Sequence, residues 1–109
     1  MAYNLVVTEH ADKLLDNILH YLLYQLKNKQ AAKHLLDEMN HIYDRLEENP
    51  LQFPYSRDRY LADKGYHESV IGRMNYTIVF NIRADVVNIV GIFHQLENYQ
   101  KKLEVGDAM

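Results

Sequence analysis

Hydrophobic positions along the chain change their spacing once, near Pro54. Before it they recur every three or four residues, at Leu15, Ile18, Leu19, Leu22, Leu23 and Leu26, then at Ala31, Leu35, Met39, Ile42 and Leu46. Both stripes predict amphipathic helices. Thr8 is a good N-cap for the first, with Asp12 placed in the opening turn, where an acid complements the helix dipole. Asn28-Lys29 interrupts the pattern, so the two helices fold back as a hairpin. Pro50 and Pro54 close the second helix, because proline cannot continue one. Ahead of both, the β-branched and aromatic run from Tyr3 to Val7 predicts a short strand.

Beyond Pro54 the period is that of strands. Residues 55–65 are polar and irregular and end at Gly65. A strand is expected over 66–70, and two strongly β-prone runs follow at 76–82 and 86–93, joined by the short Arg83-Ala84-Asp85 connection. The stretch from Glu97 to Leu103 reads as a brief helix or tail. The order β-α-α-β-β-β predicts an α+β fold, with an N-terminal strand and a helical hairpin packed on one face of a small antiparallel sheet. No repeat or linker divides the chain, so residues 1–109 form a single domain with its core over 3–103.

Composition narrows the function. The chain contains no cysteine, which excludes a disulfide scaffold, a thiol nucleophile and a Cys-based metal centre. No apolar run approaches the ~18 residues of a membrane span, and the N-terminus lacks the profile of a secretion signal. A cytoplasmic protein with no membrane association is expected. Net charge is −3, and residues 51–109 hold 7 basic and 7 acidic side chains, so that half is neutral. Any nucleic-acid contact must rest on local clustering of cations.

Six histidines invite a metal reading, which the spacings reject. Glu38-Met39-Asn40-His41 matches the Glu-x-x-His of di-iron bundles, but a second copy is needed and is missing. His67-Glu68 begins like a zincin helix, and Ile71 stands where the second histidine belongs. Neither a metal nor a cofactor is expected. His94, at the end of the last strand, is the main candidate for acid or base chemistry near neutrality. Arg73, just before the Tyr76 strand, suits bidentate anion binding. Tyr76 and Tyr99 suit base stacking or proton donation. Arg57, Arg59 and Lys64 form the one basic-leaning loop, diluted by Asp58 and Asp63.

Taken in order, several pieces resemble the RelE/ParE superfamily of toxins from type II toxin–antitoxin modules. They are Tyr3–Val7 with Thr8-Glu9-His10-Ala11, then Leu46-Glu47-Glu48-Asn49-Pro50, then Gly65-Tyr66-His67. Asn75-Tyr76-Thr77-Ile78-Val79-Phe80, Ile89-Val90-Gly91-Ile92-Phe93-His94 and Asn98-Tyr99 complete the set, which spans residues 3–103. The resemblance implies the small α+β toxin fold and a cognate antitoxin as partner.

It also implies one of two activities. RelE-like members cleave mRNA on the ribosome, whereas ParE-like members inhibit DNA gyrase. On the nuclease reading His94 is the general acid or base, Arg73 stabilises phosphorane charge and Tyr99 orients or protonates, while Arg57, Arg59, Lys64 and Tyr76 hold RNA. Two departures count against it: Thr77 follows Tyr76 where RelE has an arginine, and Gln95 falls near the second one. A third expectation is a degenerate member that only binds antitoxin.

Overall fold

The computed structural model describes residues 2–72 and 74–94. Strand β1 (Asn4–Val7) leads into helix α1 (Glu9–His20), which continues as a single wide turn of π-helix over Tyr21–Gln25. Thr8 caps α1 as its sequence predicts, its Oγ1 accepting the Ala11 N–H at 3.1 Å. Lys27 then takes a left-handed conformation, φ 50°, and turns the chain back. Asn28 caps helix α2 (Lys29–Glu48), its Oδ1 accepting the Ala31 N–H at 3.0 Å. The predicted break at Asn28-Lys29 is therefore both a reversal and a start signal.

Past α2, Asn49 caps the short 3₁₀ turn Pro50–Gln52. Residues 55–65, expected to be irregular, contain a five-residue helix, α3 (Arg59–Asp63), capped by Asp58. A helix this short cannot display a hydrophobic period, and only Leu61 of its residues is buried. Gly65 ends it at φ 89°, a conformation that favours glycine.

Strands β2 (His67–Ile71), β3 (Tyr76–Arg83) and β4 (Val86–His94) form the expected antiparallel meander. The sheet as a whole is mixed rather than purely antiparallel: its order is β1-β4-β3-β2, and β1 joins β4 in parallel. A parallel pair needs a long crossover connection, which the helical hairpin and the first two meander strands supply. The segment 97–103 lies outside the described residues.

Side chains sort to two faces. Tyr76, Ile78 and Phe80 of β3, with Val87, Ile89 and Ile92 of β4, meet Leu35, Met39, Ile42 and Leu46 of α2 in the main core. Full burial of each such side chain is worth about 1.5–3 kcal/mol. A second, smaller cluster joins Val79 and Phe93 to Leu61 and Tyr66. Alternation thus places α2 on one face of the sheet and α3 on the other. Among the described residues no helix is long and apolar enough to cross a membrane.

Candidate functional site

His94 is the last residue of β4, and the register sets it opposite Tyr76, the first residue of β3. Their rings meet edge to face, with centroids 5.6 Å apart at 86°. The register accounts for the meeting: residues directly opposite on one face of an antiparallel pair bring their side chains together. His94 is half-buried and Tyr76 is 9% exposed, its ring belonging to the main core. Tyr76 therefore supports His94 from the inside and does not stand out as a stacking platform. Arg73 and Tyr99 lie outside the described residues.

Of the expected RNA-binding residues, three sit away from this pair. Glu68, the second residue of β2, points to the face opposite Tyr76, since His67 and Ile71 of the same strand point into the main core. There its carboxylate holds Arg57: Oε1 accepts the Arg57 backbone N–H at 2.7 Å and Oε2 accepts Nε–H at 2.9 Å. Arg59 opens α3 on that side, and Lys64 stands 4.5 Å over the Tyr60 ring as a cation–π contact. Among the described residues the candidates thus divide across the sheet, with His94 and Tyr76 on the helix-covered face and Arg57 held on the face that carries α3.

Sequence reasoning missed Glu68 as the organiser of the basic loop. The available signal was three consecutive polar residues, His67-Glu68-Ser69, opening a strand whose every position but Val70 is buried. A polar run in such a strand requires partners. His67 finds its own: the ring stacks between Tyr55 (4.2 Å) and Phe80 (5.4 Å), and Nδ1–H donates to the Phe53 carbonyl at 3.2 Å. It is a core histidine, not a ligand. Thr77 is wholly buried, and its hydroxyl has no hydrogen-bond partner among the described residues. On the hairpin, Tyr43 has its phenol pushed up to about 12, first by burial and then by the nearby Asp12 carboxylate.

A mixed four-stranded sheet, backed on one face by a helical hairpin, defines a small α+β toxin-like fold. The family model for the ParE toxin of type II toxin-antitoxin system, parDE, matches residues 5–99. The chain therefore belongs to the ParE toxin family, within the RelE/ParE superfamily. Two solved structures share its architecture. The chromosomal ParDE toxin–antitoxin system from P. aeruginosa is 18% identical with a TM-score of 0.65, over 85% of this chain and 96% of that one. A double arginine-to-alanine mutant of the E. coli toxin RelE in the free state is 14% identical with a TM-score of 0.62, over 100% of both chains. At such identities the likeness concerns the fold. No curated protein sequence matches the chain.

Proposed function

We propose that this toxin arrests growth by binding a protein target, in the manner of the gyrase-inhibiting ParE branch, and that a cognate antitoxin neutralises it. The observation that carries the reading is the split of the candidates among the described residues. Cutting an RNA phosphodiester needs cations that neutralise the phosphorane on the same surface as the general base. Here Arg57 is tied to Glu68 on one face, while His94 rests against Tyr76 on the other. The −3 net charge agrees, because it gives no long-range attraction to a polyanion.

A second reading, ribosome-dependent mRNA cleavage, draws on the His94–Tyr76 pair at the strand end. It takes His94 as general acid or base, Arg73 as the phosphorane partner and Tyr99 as the proton donor. Inducing the chain alone, with growth, primer extension on a reporter mRNA and gyrase supercoiling followed together, decides between the two. Arrest with intact mRNA and lost supercoiling is expected. Arrest with cuts inside codons, abolished by His94→Gln, overturns the binding reading in favour of the nuclease, and no arrest overturns both.

A further inference from the structure

Charge is segregated along the helical hairpin. Residues 17–36 contain no aspartate or glutamate but hold Lys27, Lys29 and Lys33, whereas residues 37–48 hold five acids and one arginine. These two stretches are the tip and the base of the hairpin, so α2 carries cations at its N-terminal end and anions at its C-terminal end. Its first turn holds no acid, and in its last turn Glu47 and Glu48 outnumber Arg45. The arrangement runs against the helix dipole, which favours acids at the start and bases at the end. A charge pattern that weakens its own helix points to a use outside the helix.

The exposed side of α2 has a matching order. Lys29, Lys33, Leu36, Asn40, Tyr43 and Glu47 follow one another at alternating steps of four and three, forming a seam beside the buried stripe in which all but the half-buried Tyr43 are exposed. The seam is symmetric about position 38: Lys29 mirrors Glu47, Lys33 mirrors Tyr43 and its neighbour Asp44, and Leu36 mirrors Asn40. Leu36 is 41% exposed at its centre. A groove lies at each end, one lined by Leu23, Tyr24, Lys27 and Lys29, the other by Ala2, Asp44, Glu47 and Glu48.

We propose that this face is a dimer interface, in which two copies of the chain pair their α2 helices antiparallel about a two-fold axis near position 38. Lys29 of one copy then faces Glu47 of the other, Lys33 faces Asp44, and both contacts occur twice. The two helix dipoles oppose each other, which favours the pairing. The tip of each hairpin, where Tyr24 is 66% exposed, reaches the acidic groove of the other copy. The contact is isologous and closes at two copies. Among occupants, a second copy is the one whose charges are known to complement the seam at both ends. The inference is independent of the toxin's target.

The test is sedimentation of the full chain over a range of concentrations at low and high salt. A reversible dimer that loosens with salt is expected. The double reversal Lys29→Glu with Lys33→Glu should weaken it on the order of tenfold or more, as should Asp44→Lys with Glu47→Lys. All four residues are exposed, so circular dichroism should be unchanged. The decisive sample is the equimolar mixture of the two reversed variants, in which every facing pair is again of opposite sign. That mixture should form a heterodimer at the wild-type affinity. A wild-type monomer at all concentrations, a dimer indifferent to either reversal, or a mixture that stays monomeric would overturn the proposal.

Discussion

Glu68, only 2% exposed, holds Arg57 by both its backbone N–H and its Nε, so one carboxylate pins the loop after Pro54 to the second strand. The guanidinium end of that pair is open to solvent while the carboxylate is not. Replacing the exposed partner therefore takes the guanidinium from a buried carboxylate that keeps the backbone N–H at position 57. Arg57→Ala should destabilise the fold by about 1–3 kcal/mol, the loss of one charge-assisted hydrogen bond to a buried carboxylate. Glu68→Gln keeps one acceptor oxygen but sets an amide NH2 against the other Arg57 donor, so it should cost more. Urea midpoints of the two variants, with the double variant closing the cycle, check the order. Equal losses would show that the loop is held by other contacts.

Thr77 makes the opposite prediction. Its hydroxyl is buried with no partner among the described residues, on the face of β3 that Val79 shares and opposite Phe93 of β4. Thr77→Val removes the polar atom at nearly constant shape and keeps the β-branching that suits a strand. A gain of about 1 kcal/mol is expected, because an unpaired buried hydroxyl carries its full desolvation cost. Chemical denaturation measures it directly. A loss would mean that the hydroxyl contributes a contact outweighing that cost.

Much of the architecture was legible because it rests on local patterns. The twenty residues of α2 repeat their period often enough to be read, shifted only in that Ala32, not Ala31, enters the core. Thr8 and the Ala84-Asp85 turn were readable for the same reason. The parallel direction of β1 was not, since the pairing of Asn4 with Val86 depends on where a distant strand returns. Nor was the Glu68–Arg57 pair, whose members stand eleven positions apart and belong to different elements. The candidate site suffered most. His94 and Tyr76 meet through register alone, and strand alternation turns Glu68, with the Arg57 that it holds, to the face opposite them.

Tyr43 offers a titration. Burial first, and Asp12 second, raise its phenol from 10 to about 12. In the unfolded chain the group ionises near 10, so the folded state favours the neutral form. Its contribution to stability is therefore complete below pH 10 and is lost as pH rises from 10 through about 12. Asp12→Asn should lower the midpoint while leaving it above the ordinary value, because the larger cause remains. Ultraviolet difference titration of wild type, Asp12→Asn and a Tyr43→Phe blank checks this. A midpoint returning fully to the ordinary value in Asp12→Asn would make charge, not burial, the main cause.

Gly91 stands opposite Val79, next to the register shift at Val79/Phe80. A Cβ at this position would run into the ring of Phe93, two residues further along the same face. Phe93 is fully buried in the second cluster, against Leu61 and Tyr66, so its ring has no open space to enter. Gly91→Ala must therefore displace a packed aromatic ring, and overpacking of this kind costs about 1–3 kcal/mol. The added strand propensity of alanine, a few tenths of a kcal/mol, does not offset it. The double variant Gly91→Ala with Phe93→Leu separates the causes, since the smaller side chain makes room for the methyl group. If the clash is the reason, the alanine should cost much less in the Phe93→Leu background than in the wild type. Equal costs in both, measured by urea denaturation, would trace the requirement to the backbone at the bulge instead.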